Sequence, residues 1–228
     1  MASLLDELAI NDLALSGRVE AYFLSLAASD ATLGLLPRAR ALRMSQEFQS
    51  FHPLVRSLSS LIVSDDQTSD HYVLVLGTPL RGFVLHLSHD DGSRFVFDSL
   101  EAFLLAAHRA NEAEVPLNEH HLPHSPVAKD QEALRDFLTS LLSQPGSGDV
   151  IPTLVGSLDL VDCAFLIRLI DDEDFYVGEA VAREIERRPS PHLLPVAEHC
   201  GHHPHVLVRE AGSRALKRVR SLGSDQSG

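Results

Sequence analysis

Tryptophan is absent from this chain of 228 residues, and cysteine occurs only twice. Cys163 and Cys200 both stand in apolar, helix-patterned sequence, which reads as two buried thiols and not as a disulfide or a metal pair. That usage fits a reducing compartment. No apolar run approaches the roughly 20 residues that span a bilayer, so no membrane partner is expected. The opening Met1-Ala-Ser-Leu-Leu-Asp-Glu7 lacks a basic start and meets acids early. It is not read as a signal peptide, and a cytoplasmic protein is expected. Also missing are a Ser-His-Asp pattern, a Gly-rich phosphate loop, a His-Glu-x-x-His pair and a paired Cys-x-x-Cys. Ser93 and Ser99 lack the Gly-x-Ser-x-Gly setting of a nucleophile elbow. These absences remove the positive case for an enzyme, so no catalytic residue and no cofactor are expected.

Basic residues are the scarcer charge: 19 Lys and Arg stand against 32 Asp and Glu, for a net charge of −13. The imbalance is uneven. Residues 1–111 carry a net −5, residues 112–174 a net −10 and residues 175–228 a net +2. An acidic surface repels phosphate backbones and attracts basic partners. It also serves plain solubility, and both readings stand. The basic run Arg209, Arg214, Lys217, Arg218 and Arg220 reads as a solvated helix face that complements its own C-terminal dipole. No nucleic-acid partner is expected.

What is present is a clear alternation of patterns. Leu4, Leu5, Leu8, Ile10 and Leu13 predict a short amphipathic helix over 2–14, and Val19, Tyr22, Phe23 and Leu26 a second over 18–29. Residues 33–50 look helical but are interrupted by Pro37, and Phe51-His-Pro53 marks the change to strands. Strands are predicted at 58–63, 72–76, 82–87 and 94–97 from their β-branched and aromatic residues between turn formers. Tyr72-Val-Leu-Val-Leu76 does not alternate, which predicts a central strand covered on both faces. Asp91-Gly92 is a hairpin signal. Asp98, with Glu101 at capping-box spacing, opens a helix whose stripe is Leu100, Phe103, Leu104 and Ala107.

Pro116, Pro123 and Pro126 then mark a linker, a helix follows at 129–143, and Gln144-Pro-Gly-Ser-Gly148 punctuates the chain again. Beyond it lies a repeat. Asp174-Phe-Tyr-Val177 aligns with His205-Val-Leu-Val208 at an offset of 31, which also pairs Glu179 with Glu210, Ala180 with Ala211 and Arg183 with Arg214. Shorter apolar helices are expected near 163–170 and 191–200. Two helices per repeat, with small Ala at the close contact, make an α-solenoid unit. The expected fold is therefore α+β: a small, mostly antiparallel sheet with flanking helices over 1–111, a linker over 112–128, a short all-α repeat domain over 129–220 and a disordered tail over 221–228.

The histidines invite a metal reading, and each has a plainer one. His86 and His89 differ by an odd number, so a regular strand turns them to opposite faces. His120, His121 and His124 lie in the proline-rich stretch and read as solvated loop residues. His199, Cys200, His202, His203 and His205 form the densest group. Either they bind zinc, which wants four ligands, or they are the polar corner between two helices. No metal site is expected among them. Asp171, Asp172, Glu173 and Asp174 form an acidic corner, readable as a contact for a basic partner or as a helix N-terminus that favours acids. Asp65, Asp66 and Asp70 would join Asp90 and Asp91 only if their two turns share a sheet end.

Residues 53–105 resemble the SUKH superfamily, the Smi/Knr-type group of cell-wall regulators and bacterial toxin-immunity proteins. The resemblance rests on Pro53-Leu54, on Leu61-Ile-Val63 followed by Asp65-Asp66, on the strand at 72–76, on Gly82-Phe-Val-Leu85, on His89-Asp90, and on Phe97-Asp-Ser-Leu-Glu-Ala-Phe-Leu104. Asp66-Gln-Thr-Ser-Asp70 replaces the family's Asp-Gly-type turn, and the family's tryptophans are missing. Residues 159–219 are similar to short bacterial HEAT-type repeats. Both resemblances imply proteins that act by binding proteins. The expectation is a toxin-immunity-type module that neutralises a toxin, such as a basic toxin domain, through Asp65, Asp66, Asp70, Asp90, Asp91, Asp171, Asp172 and Glu173. The alternative is a non-toxin scaffold or regulatory adaptor using the repeat surface. Oligomeric state is left open.

Overall fold

The computed structural model of the protein describes residues 13–27, 34–65, 69–89, 92–144 and 148–224. The expected first helix over 2–14 lies almost wholly outside them, as do Asp66, Asp90 and Asp91. The fold is α+β, and the chain divides into two compact units, Met1–Pro126 and Val127–Gly228.

Unit 1 begins with α1 (Leu13–Ala27), α2 (Arg38–Phe51) and the short α3 (Pro53–Ser57). Pro37 does not break a helix; it stands as the extended N-cap residue of α2, where a missing N–H costs nothing. Four strands follow: β1 (Ser60–Asp65), β2 (His71–Val75), β3 (Val84–Leu87) and β4 (Arg94–Phe97). They form an antiparallel meander in chain order. β2 is buried at every position, because it is central and both sheet faces are covered. On one face Phe103 of α4 (Leu100–Ala113) packs on Tyr72 and Phe97. On the other, Phe48 of α2 meets the His71 ring edge-on at 5.0 Å.

The outer edge of β1 is closed by other parts of the unit. Ile62 N–H donates to Ser45 Oγ (2.7 Å), Leu36 N–H and the Tyr22 hydroxyl donate to Val63 O (2.9 and 3.2 Å), and Asp65 N–H donates to Gly34 O (2.9 Å). Such closure removes a template for strand-to-strand aggregation. The cap of α4 is Ser99 and not the expected Asp98. The Ser99 hydroxyl accepts from Ala102 N–H (3.2 Å) and donates to Asp98 Oδ1 (3.0 Å). Residues 114–122, read as part of a linker, hold to unit 1 through a 3-10 turn (Leu117–His120) and a Leu122 N–H to Val96 O bond of 3.2 Å.

Unit 2 contains α5 (Gln131–Leu142), α6 (Ile151–Val155), α7 (Cys163–Ile170), α8 (Phe175–Arg187), a 3-10 turn (Pro191–Leu193), α9 (Leu194–Gly201) and α10 (Val206–Ser224). Aspartates cap three of these helices: Asp130 accepts from Ala133 N–H, Asp162 from Phe165 N–H and Asp174 from Tyr176 N–H. The offset of 31 holds for the helix boundaries themselves: α7 and α9 start and end 31 residues apart, and α8 and α10 start 31 apart. Glycines sit at the closest helix approaches, and of the expected alanines Ala211 is fully buried and Ala180 half-buried. A Cβ at Gly178 would lie 3.0 Å from Ile170 O, and one at Gly212 only 2.5 Å from Cys200 backbone carbon. Glu184, 6% exposed, is held by Arg187 and Arg188, and Arg188 also donates to Leu158 O (2.8 Å) and Gly156 O (3.2 Å). A buried carboxylate survives only with such partners.

Candidate functional site

The turn between α7 and α8 is built by aspartates. The apolar face of α7 ends at the buried Leu169 and Ile170, and the chain must reverse within four residues to bury Val177 of α8. Asp172 Oδ1 accepts from Asp174 N–H (3.0 Å) and Asp174 Oδ1 from Tyr176 N–H (3.0 Å). These side-chain bonds satisfy amides that the turn would leave bare. Asp171 Oδ1 lies 2.6 Å from His199 Nε2 of α9.

Facing this corner is the segment that follows α5. The two enclose an open cleft of about 390 Å³. Its floor is apolar, from Leu142, Ile151 and Val177, and its walls carry the carboxylates of Asp149, Asp172, Glu173 and Asp174. Among the described residues neither Lys nor Arg lines it. A Cβ at Gly148 would meet the Asp174 carboxylate, which would have to swing aside. Beside the cleft the first turns of α8 and α10 expose apolar side chains at repeat-equivalent positions. Tyr176 is 55% exposed, Val206 46% and Leu207 37%. The Phe175 ring stacks on His205, with centroids 3.6 Å apart, and so ties the two first turns together.

Of the acids expected to bind a partner, Asp172 and Glu173 line the cleft, and Asp171 is engaged by His199. Asp65 and Asp70 are placed differently. The Asp65 side chain is 9% exposed and pairs with Arg40. Asp70 Oδ1 accepts from His89 N–H (2.8 Å), and its Oδ2 lies 3.4 Å from Ser88 Oγ and 3.6 Å from His86 Nε2. The β1–β2 and β3–β4 turns therefore do share a sheet end, as a meander requires, and Asp70 joins them. Asp66, Asp90 and Asp91 lie outside the described residues. One cleft residue, Asp149, escaped the sequence reading, masked by the Pro-Gly-Ser-Gly run before it; Asp174 was read within the acidic corner but left out of the assigned contact set.

The histidines of the 199–205 corner are engaged one by one: His199 with Asp171, His202 Nδ1 with Glu198 O (2.7 Å), His203 Nδ1 accepting from His205 N–H (3.1 Å) and His205 on Phe175. Among the described residues no group of three or more His, Cys, Asp or Glu is arranged to hold a metal ion. Cys200 is fully buried, and burial pushes its thiol up to about 12, so it is no nucleophile near neutrality. Among the described residues no helix is long and apolar enough to cross a membrane. No family model, curated protein or solved structure matches the chain.

Proposed function

We propose that this protein is a binding module of the toxin-immunity type, and that the acidic cleft of unit 2 receives a cationic side chain of its protein partner. The observation that carries the reading is the cleft itself: four acidic residues beside Leu142, Ile151 and Val177, with no Lys or Arg among the described lining residues. A guanidinium suits such a site, because it pairs with carboxylates through several donors and lays its flat face on apolar surface. The exposed Tyr176, Val206 and Leu207 add the aromatic and aliphatic contact that interface centres favour. The SUKH-type and HEAT-type resemblances support the class of function, and the net charge of −13 supports a basic partner drawn in by long-range attraction.

The test is co-expression with the product of a neighbouring toxin-like gene, followed by pull-down of the tagged protein. Rescue of growth and a complex weakened by salt and by Glu173→Lys support the proposal; neither rescue nor complex overturns it. An adaptor that holds a non-toxin segment on the same ledge is the second reading, favoured by the repeat-equivalent placement of Tyr176 and Leu207. A complex with the product of a neighbouring biosynthetic or signalling gene, in place of a toxin, decides for it.

A further inference from the structure

Residues 116–126 carry three prolines and three histidines, and they lie against the sheet of unit 1. Three polar contacts hold them there. Leu122 N–H donates to Val96 O (3.2 Å), Arg94 Nη1 donates to Leu122 O (2.8 Å), and the Tyr72 hydroxyl is 2.8 Å from His121 Nε2. With its proton on Nδ1, the neutral imidazole accepts from that hydroxyl through Nε2. The His121 ring also lies edge-on to Phe97 (5.8 Å) and 5.0 Å from the His86 ring.

Burial, His86 and Arg94 disfavour a charge on His121. β2 offers the neutral Tyr72, β3 offers His86 and β4 offers Arg94. The acid of this cluster, Asp70, faces His86, and the segment's own Glu119, His120 and His124 make no hydrogen bond to the His121 ring. Burial first, then His86 and Arg94, hold His121 down at about 4.

We propose that residues 116–124 form an acid-released strap: neutral His121 seats them on the sheet, and a proton on that ring frees them. Release uncovers Tyr72 and Phe97, which the closed form keeps 6% and 3% exposed. The device is independent of the cleft in unit 2.

Amide hydrogen exchange of Leu122, expressed as a protection factor, tests this. One proton taken up on release lowers the closed-to-open ratio about tenfold for each pH unit below roughly 6.5, the ordinary histidine value, down to about 4. Protection at Leu122 should fall on that slope while amides of the β1–β2 pair keep theirs. His121→Gln, whose amide still accepts from Tyr72, should show no such fall. Protection at Leu122 that survives acid, a fall in step with β1–β2, or the same fall in His121→Gln overturns the strap. If His121→Gln does not seat the segment even at neutral pH, NMR titration of the wild-type ring decides. A midpoint well below 6.5 that rises in His86→Gln supports the strap, and an ordinary midpoint overturns it.

Discussion

In unit 1 the carboxylates of Asp65 and Asp70 meet Arg40, an imidazole, a hydroxyl and a backbone amide inside the fold. In unit 2 those of Asp172 and Asp174 meet, among the described residues, backbone amides and line a cleft. A guanidinium cancels a carboxylate's charge. An amide satisfies its lone pairs and leaves the charge in place. Two stretches of equal acidity on paper therefore do different work: one closes a sheet end, the other offers negative potential to a visitor. Counting acids alone does not find a binding surface; the partner of each acid does.

The comparison breaks first if the units do not unfold separately. Phe103→Ala removes a fully buried ring that touches Tyr72 and Phe97, and should cost unit 1 about 3–5 kcal/mol. Both cysteines lie in unit 2, so thiol labelling reports on unit 2 alone. Cys163 is half-buried and Cys200 wholly buried. In denaturant titrations of Phe103→Ala, Cys200 should become reactive at the wild-type midpoint while the far-UV signal shows an earlier transition. Labelling that shifts with that earlier transition would show one cooperative protein and dissolve the comparison.

Gly212→Ala is the converse. Its Cβ would meet Cys200 and Gly201 backbone atoms at 2.5–2.6 Å, which a flexible side chain cannot relieve. The roughly 1 kcal/mol that alanine contributes to helix propensity is outweighed, and a net loss of about 1–3 kcal/mol is expected for unit 2. Here Cys200 should label at lower denaturant, with the strand signal unmoved. Arg40→Gln comes next. It removes the guanidinium that pairs with the 9%-exposed Asp65 side chain, and because Arg40 is half in solvent the expected loss is discounted to about 1–2 kcal/mol, again in unit 1 only.

How far these features could be read in advance depended on how local they are. The strands, the break before them and the 31-residue offset were legible, because β-branched runs, prolines and periodicity act within a few residues. The offset recurs in the helix ends of α7 and α9, although α9 was expected at 191–200 and begins only after the 3-10 turn, at Leu194. The cap of α4 was misread by one residue: Asp98 and Ser99 are both good caps, and backbone geometry alone places Ser99 there. His121 was read as a solvated loop residue because prolines surround it. Its partners Tyr72 and His86 stand 49 and 35 positions away, on strands whose register no local pattern discloses. Asp65 was offered as a contact residue for the same reason. Its cation, Arg40, comes from a helix whose approach to β1 depends on the bridge between Leu35 and Ser64. Only the corner at 171–174 could be placed, since a polar knot between two apolar helices has no other position.

The smallest stability effect is the sharpest discriminator. Asp65→Asn and Glu173→Gln make the same change on paper, one carboxylate to one amide. In unit 1 the amide faces Arg40 from a side chain 9% exposed, so a charge-assisted bond weakens and stability falls, by about 1 kcal/mol. In unit 2 the amide faces solvent and other carboxylates across the cleft, so stability should stay within about 0.5 kcal/mol of wild type or rise slightly as like charges relax. Binding should reverse the order: Glu173→Gln weakens the complex and flattens its salt dependence, and Asp65→Asn leaves both as they are. Matching stability losses in the two variants would mean that the cleft carboxylates are as internally engaged as those of the sheet, and the contrast between the units would fall.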